Sequence, residues 1–425
     1  MKQRSVYPAL LAVAVLFSVC FGQIEISHET GVGSKALSMG NNFVALANDQ
    51  SALFWNPAGL GFIPARELQV GVDGLSQRSQ TSFFGNDESS VMQRLRVSNL
   101  GYLHAFPTSQ GGFSVAAAFQ SPITFDDARK FSGSYYDPSN QSVFVGRDEK
   151  TYGSLNFWTA GFGLQVAKGL SIGASASLVT GDENRREAFY RDTNGILADS
   201  MYSDDYDRTT TRSYVGYDVR FGLLYNFVKH FSIGARFVIP QTIWFTEDAS
   251  ETNPDISGTD VYNYPQAHGK IFSSYSGAVG FSGAYPFLTA SAELRIRAPY
   301  SFVYPNEDFP ASSLANKTIF GAGIGLEAPI VSSAVLLRAG YSWDQFDTHL
   351  FAIQYTDSST PANWDPMGEA PNKDVQTITA GVAFIMKTAC LEIGYGYSFW
   401  GLQTRDVLTE DHSQQRLSTS LSFRF

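Results

Sequence analysis

QRLSTSLSFRF, residues 415–425, alternates strictly between two kinds of side chain. One parity is largely apolar and comprises Leu417, Thr419, Leu421, Phe423 and Phe425. The other parity is polar and comprises Arg416, Ser418, Ser420, Ser422 and Arg424. Successive side chains of a strand point to opposite faces, so a period of two predicts a strand with one apolar and one polar face.

The same alternation recurs along the chain, for example over 217–225, 231–239 and 288–296. About fourteen such strands are predicted, and bacterial single-chain outer-membrane barrels have an even number. The predicted strands are 66–75, 95–106, 112–121, 151–167, 169–180, 212–228, 230–246, 270–283, 287–299, 317–328, 334–346, 374–387, 388–400 and 413–425. An alternating last strand with a terminal Phe also resembles the last strand of such barrels.

The connections between these strands alternate between short and long. The short ones include PTSQGG after Phe106, AKG at 167–169 and VKH at 228–230. The long polar ones are predicted at 76–94, 122–150, 181–211, 247–269, 300–316, 347–373 and 401–412. Tight periplasmic turns and long external loops are typical of outer-membrane barrels. The fold class is therefore predicted as an all-β, 14-stranded antiparallel transmembrane β-barrel, integral to a bacterial outer membrane, in contact with its lipid and monomeric.

The composition agrees with a barrel and excludes other classes. Only 16% of the 425 residues are charged and 14% are aromatic. The mean hydropathy of −0.11 does not fit a bundle of transmembrane helices. A net charge of −10 argues against nucleic acid as a partner, because phosphates require basic surfaces.

The N-terminus predicts export. Lys2 and Arg4 precede a short apolar run that ends before Gly22, so residues 1–22 are predicted to be a signal peptide. Lipidation at Cys20 is disfavoured, because Phe17 and Val19 are bulky. After cleavage Cys390 would be the one cysteine left, which excludes an intrachain disulfide.

Residues 23–65 precede the barrel, predicted as 66–425, and show no strand alternation. Ala36, Leu37 and Met39 indicate a short helical turn that Gly40 breaks, and Pro57 is expected to end a second turn. The segment is apolar and too small to fold alone. We therefore expect a short helical hatch that plugs the barrel lumen.

The sequence GSKALSMGNNFVALANDQSALFWNPAGL, residues 33–60, closely resembles the N-terminal segment of the FadL/TodX family of outer-membrane transporters. The matching residues are Gly40, Ala45, Asp49, Ala52 and the hatch motif Asn56, Pro57, Ala58 and Gly59. The resemblance implies a hatch inside a fourteen-stranded barrel. It also implies passive uptake of hydrophobic small molecules, such as long-chain fatty acids or aromatic hydrocarbons, with lateral release and no cofactor.

Uptake of this kind needs apolar contacts and, for a fatty acid, a cation near the carboxylate. Phe54 and Trp55 beside the hatch motif are candidate ligand contacts, although they would also pack well as plain core. Arg236 and Arg338 are candidate head-group cations, because neither has an acidic residue two positions away on its strand. The alternative is that such inward arginines form ion pairs within the lumen.

A lateral opening requires a defect in the wall. The apolar parity switches at Asn99, and Pro122 removes a hydrogen-bond donor at the end of the third predicted strand. Both positions are candidate wall defects, and an ordinary bulge is the alternative at each.

There are two alternative functions for such a barrel. A PorV-like barrel serves protein secretion or surface assembly by binding partner proteins, and would show a packed lumen with a large apolar patch on its loops. An enzyme is disfavoured, because the six histidines are scattered and no catalytic constellation of Ser, His and Asp is evident. The acidic loops match no calcium-binding spacing, so no metal is predicted.

Overall fold

The computed structural model describes residues 30–136, 142–193, 206–255, 258–273, 275–298, 300–303, 318–331, 334–345, 369–404 and 408–425. The predicted signal peptide, residues 1–22, lies outside the described residues. No helix among the described residues is long and apolar enough to cross a membrane.

One antiparallel sheet of 19 strands forms the wall. The strands are β1 (Glu67–Phe83), β2 (Asn86–Phe106), β3 (Phe113–Thr124), β4 (Asp127–Tyr136), β5 (Ser142–Ala167), β6 (Leu170–Thr193), β7 (Tyr206–Val228), β8 (Phe231–Val238), β9 (Gln241–Asp255), β10 (Gly258–Asn263), β11 (Ala267–Ser273), β12 (Ser276–Tyr285), β13 (Leu288–Arg297), β14 (Tyr300–Val303), β15 (Ile319–Val331), β16 (Val335–Asp344), β17 (Glu369–Ile385), β18 (Ala389–Thr404) and β19 (Leu408–Arg424). Short irregularities divide some passes of the wall into two or three strands, as in β3–β4, β8–β9, β10–β12 and β13–β14.

The sheet closes on itself, which makes it a barrel. β1 pairs along its whole length with β19, from Glu67 opposite Arg424 to Phe83 opposite Leu408, and on its other side with β2. The passes number 14, so the predicted 14-stranded antiparallel barrel is confirmed.

The two faces of the wall differ as the alternation predicts. In β19, Leu417 and Phe423 are exposed on the outside, whereas Arg416, Ser418 and Ser420 are buried inside. The same outward exposure of large apolar side chains recurs in β2, β7, β13 and β17, at Leu95, Phe221, Leu294 and Ile378. An apolar outer band around a polar interior defines an integral outer-membrane barrel.

The predicted long polar loops are wrong in several places, because much of their length is strand. β1 and β2 continue to Phe83 and Asn86, and only a tight turn separates them. Likewise β6 reaches Thr193, and β9 reaches Asp255. The alternation of apolar residues stops where the wall leaves the lipid, but a strand there needs only paired backbone and solvated side chains. Parts of the other predicted loops, at 304–317 and 346–368, lie outside the described residues.

The segment before β1 lies inside the barrel, as expected of a hatch. It contains α1 (Ser34–Ser38), α2 (Ala52–Trp55) and a 3₁₀ helix (Pro57–Phe62). Gly40 follows α1 with a φ of 68°, a left-handed conformation that ends the helix and suits glycine. Hatch residues including Phe43, Leu53 and Leu60 share one buried apolar cluster with Leu103 and Ala116 of the wall. The lumen is thus filled at this level by the chain's own N-terminal segment.

Candidate functional site

The hatch motif forms the corner that fixes the hatch against the wall. The Asn56 side chain donates from Nδ2 to Val44 O at 2.7 Å and to Leu223 O at 3.1 Å. Its Oδ1 accepts from Ala58 N at 3.2 Å, which caps the 3₁₀ helix that begins at Pro57. One buried side chain therefore joins two parts of the hatch and strand β7.

Glycines make the close approach of this corner to the wall feasible. A Cβ atom on Gly222 of β7 would overlap Asn56 Oδ1, and one on Gly173 of β6 would overlap Pro57. Within the hatch, a Cβ on Gly59 would overlap the carbonyl of Ala47. The glycine of the motif thus lets the two halves of the hatch pack backbone against backbone.

Phe54 and Trp55 lie on the lumen side of this corner, and both are buried. The Phe54 ring lies 6.4 Å from that of Phe157 in the wall, measured between centroids. The Arg220 guanidinium lies 3.9 Å from the centre of the Phe54 ring and donates to Phe54 O at 2.8 Å. Phe54 therefore connects the hatch to the wall of the lumen above it.

Two rows of inward-facing residues above Phe54 are apolar, where a barrel lumen is ordinarily polar. We call them the apolar belt. Direct strand pairing aligns the lower row as Phe157, Val179, Gly216, Ile243 and Ile271. The upper row is Leu155, Gly181, Tyr214, Phe245 and Gly269. The non-glycine members form one buried cluster with Ile123 of β3, against which Phe125 packs.

The sequence interpretation missed the apolar belt. Its signal was visible as consecutive apolar residues where strict alternation should hold, in Phe157–Trp158 and in the run 243–245. Trp158 and Trp244 point outward and are about half exposed, whereas Phe157 and Ile243 point inward. Strands that are apolar on both faces therefore mark the level at which the lumen becomes apolar.

A lattice of ion pairs covers the apolar belt on its outer side. Arg212 lies between Glu247 and Glu183, with Nε–Oε2 and Nη1–Oε2 distances of 2.6 and 3.2 Å. Farther out, where the wall has left the lipid, Arg129 pairs with Glu410. Burial raises the pKa of Glu410, but Arg129 and His412 outweigh it and hold that pKa well below its usual range. Glu410 therefore stays charged at neutral pH, and its pair with Arg129 persists.

The two candidate cations differ in their surroundings. Arg338 lies between two carboxylates, with its Nε 2.7 Å from Glu327 Oε2 and its Nη2 2.9 Å from Glu392 Oε1. This geometry favours the ion-pair alternative for Arg338. The Arg236 guanidinium lies 5.8 Å from the Trp55 ring centre, its Nη1 donates to Phe54 O at 3.4 Å, and its charge acts on the buried Glu293 carboxylate.

Arg236 and Trp55 line the same cavity. It has a volume of about 110 Å³ and is also lined by Asn41 of the hatch and by Arg295 and Thr377 of the wall. Trp55 Nε1 donates to Val32 O at 2.8 Å, which holds the indole ring against the start of the hatch. The structure thus brings together one predicted ligand contact and one predicted cation.

The two candidate wall defects meet at one seam between β2 and β3. A β-bulge in β2 places both Ser98 and Asn99 inside the barrel. Asn99 opposite Gln120 is the last pair of β2 with β3, and the register of β3 on β5 shifts just beyond it, around Pro122. From this level outward β3 bends into the lumen, and its Ile123 joins the apolar belt.

The hatch is bonded to this seam. Thr30 N and Oγ1 donate to Pro122 O at 2.8 and 2.9 Å. Arg96 of β2 donates to Thr30 Oγ1 at 2.9 Å and to Ser121 Oγ at 3.4 Å. Arg416 of β19 donates to Gly31 O at 3.2 Å and pairs with Asp73. The described start of the hatch therefore fills the place where the β2–β3 ladder ends.

No grouping of His, Cys, Asp and Glu among the described residues suits a metal ion. The apolar belt, the hatch and the seam between β2 and β3 together define the class of protein, namely outer-membrane barrels closed by their own N-terminal segment.

No family model and no curated protein matches the sequence. Among solved structures, the chain is similar to the toluene transporter TodX of Pseudomonas putida, with a TM-score of 0.60 and 16% identity over 95% of this chain and 100% of that one. A FadL homologue of Pseudomonas aeruginosa gives 0.60 and 12% over 96% and 100%. The toluene transporter TbuX of Ralstonia pickettii gives 0.59 and 15% over 94% and 99%. The chain has the fold of the FadL/TodX channels, which confirms at the level of fold the resemblance of its hatch sequence.

Replacing Asn56 with Ala is expected to loosen the hatch. The change removes the bonds to Val44 O and Leu223 O, and two buried carbonyls lose a donor, at a cost of about 2–3 kcal/mol. Hydrogen exchange of the α2 amides should accelerate by roughly 30- to 150-fold. Asn184→Ala in the outer part of β6 is the matched control. Unchanged α2 exchange in Asn56→Ala would show that this residue does not seat the hatch.

Proposed function

We propose that the chain is a passive channel for hydrophobic small molecules, such as long-chain fatty acids or aromatic hydrocarbons. The apolar belt carries the proposal, because a lumen built for water-soluble solutes has no reason to bury two rows of apolar side chains. Solved structures that share the fold include two toluene transporters and a FadL homologue, which supports the same class of substrate. The channel acts as a monomer in outer-membrane lipid, without cofactor or chemical step.

The proposed route runs from the apolar belt to the seam between β2 and β3. Ile123 belongs to both, since β3 leaves the wall at Pro122 and enters the belt. A compound bound at the apolar belt is therefore next to the seam, where β2 and β3 are not joined by a ladder of backbone hydrogen bonds. Displacement of Thr30 from Pro122 and Arg96 would open that place toward the lipid. In this mechanism the hatch gates a lateral release.

For a fatty acid, the cavity at Trp55 supplies a second contact. Arg236 lines it together with the indole ring, whereas Arg295 is paired there with Asp344 at 3.0 Å, so Arg236 is the cation that we assign to a ligand. A carboxylate is the anion that such a site would accept on an amphipathic compound. We assign the head-group role to Arg236 and leave Arg338 as an ion-paired residue of the lumen.

The PorV-like alternative predicts a packed lumen together with a large apolar patch on the loops. It requires a large apolar patch there for a partner protein, and the segments 304–317 and 346–368 lie outside the described residues. The apolar belt and the cavity at Trp55 favour a small ligand inside the barrel over a partner at its mouth.

Substitution of Ile243 by Asn tests the proposed function. A polar amide in the lower row of the belt would be buried without a hydrogen-bond partner. The free energy of binding an apolar ligand there would become less favourable by about 1–3 kcal/mol. Uptake of labelled fatty acid and of labelled alkylbenzene by cells that express the protein should both fall about tenfold. Ile243→Leu keeps the apolar character and should retain uptake. If cells with and without the protein take up both compounds equally, the proposed function is wrong.

Arg236→Gln separates the head-group contact from the belt. Loss of a charge-assisted hydrogen bond costs about 1.5–3 kcal/mol, so binding of a long-chain fatty acid to the purified protein should weaken roughly 10- to 100-fold. Binding of the uncharged alkylbenzene should not change, and Arg236→Lys should recover part of the loss. Equal effects on both ligands would contradict a carboxylate site at Arg236.

Pro122→Ala tests lateral release. The substitution supplies an N–H donor at the seam, so β3 can extend its pairing with β2 beyond Gln120. Uptake into membranes is expected to fall several-fold, whereas ligand binding to the detergent-solubilised protein should stay the same. The control is Pro329→Ala, since Pro329 adjoins a register shift between β15 and β16, away from this seam. A parallel fall in binding, or no fall in uptake, would argue against release through the β2–β3 wall.

A further inference from the structure

The short turns at one end of the barrel carry a distinct charge. These turns share that end with the start of β1 and the end of β19, which makes it the periplasmic end. Each ionised residue in the described turns and in the link to β1 is basic, and all are exposed: Arg66, Lys168, Lys229 and Lys387. The overall composition does not explain this excess of positive charge, because the chain as a whole has a net charge of −10. We call these four residues the basic rim.

The basic rim also differs from the outer side in its pairing. Three of the four exposed lysines in the described outer strands have a carboxylate partner, namely Lys130 with Glu88, Lys150 with Asp148 and Lys373 with Asp411, and the fourth is Lys270. None of the basic-rim residues forms a salt bridge within the part of the chain that the structure describes. Their positive charge is therefore left for something outside the chain to balance.

Apolar side chains that face the lipid lie directly beside these cations. Phe227 and Val228 precede Lys229 and are about half exposed, and Met386 precedes Lys387 with 54% exposure. Next to Lys229, Phe231 contacts Phe281 and Tyr285 at ring-centroid distances of 5.6 and 5.9 Å. Exposed aromatic rings of this kind sit at the level of lipid head groups. The cations are thus held at the depth of the lipid phosphates.

Two members of the rim lie on adjacent turns. Lys168 is in the β5–β6 turn and Lys229 in the β7–β8 turn, and Asn226 N donates to Gly169 O at 2.7 Å where the two meet. Adjacent turns are separated by about two strand spacings, roughly 10 Å, which two lysine side chains can bridge. We infer that the basic rim, with Lys168 and Lys229 as its core, binds anionic phospholipids of the periplasmic leaflet through their phosphate groups.

The experiment uses the full-length protein in nanodiscs of phosphatidylcholine that contain a minor share of phosphatidylglycerol. Enrichment of phosphatidylglycerol around the protein is measured by quenching of tryptophan fluorescence with its brominated form. Wild type should enrich it roughly fivefold for each contacting cation, and high salt should weaken the effect. The double variant Lys168→Gln and Lys229→Gln should lose most of the enrichment, and the corresponding Lys→Arg double variant should keep it.

The double variant Lys150→Gln and Lys373→Gln is the matched control, because it removes the same charge from the outer side. It should enrich phosphatidylglycerol like wild type. Undiminished enrichment in the rim variant would overturn the inference. So would an absence of enrichment in wild type, which would point to an acidic periplasmic protein as the partner of the rim. Uptake of hydrophobic compounds is a separate readout, so failure of this inference leaves the channel function untouched.

Discussion

Backbone hydrogen bonding in lipid is the constraint on which the structure depends. In the hydrocarbon layer an unpaired N–H or C=O has no water to bond, so the strands of a membrane-spanning sheet must close into a barrel. The continuous pairing of β1 with β19 meets that requirement, and all described ladders of the wall are antiparallel. A place where the ladder ends within the wall must therefore satisfy its polar groups in another way. Beyond Asn99 and Gln120, the hatch supplies that alternative.

The hydrogen bonds between the hatch and the seam link the hatch to the wall more closely than simple filling of the lumen would require. Pro122 O accepts from Thr30, and Arg96 reaches both Thr30 and Ser121. A plug that only filled space would need apolar packing, such as the cluster of Phe43, Leu53 and Leu60. The polar contacts at the seam add a condition, because displacement of Thr30 takes two donors from Pro122 O of β3 and one acceptor from Arg96 of β2. The position of the hatch and the state of the seam are then energetically coupled.

The sequence predicted those parts of the fold that repeat or break a regular pattern. Period-two alternation gave the passes of the wall, and its interruption at Asn99 pointed to the residue where a bulge lies. The outer strand extensions could not be predicted, because outside the lipid neither face needs to be apolar. The partners of Arg338 were also beyond the sequence. Glu327 and Glu392 come from other strands, and the register between strands is set by turns and by barrel closure rather than by local pattern.

The apolar belt shows why a departure from pattern is informative about function. Burial of Phe157, Ile243 and Ile271 in a lumen contributes to stability only if apolar partners cover them, and here Ile123 and Phe125 of the bent third pass do so. Straightening β3 into the wall would close the seam and would also withdraw Ile123 from the belt. A bound hydrophobic compound can replace that lost apolar contact, whereas a polar solute cannot. The same bend therefore interrupts the ladder of the wall and packs the apolar belt, so the cost of a wall defect is offset by apolar burial inside.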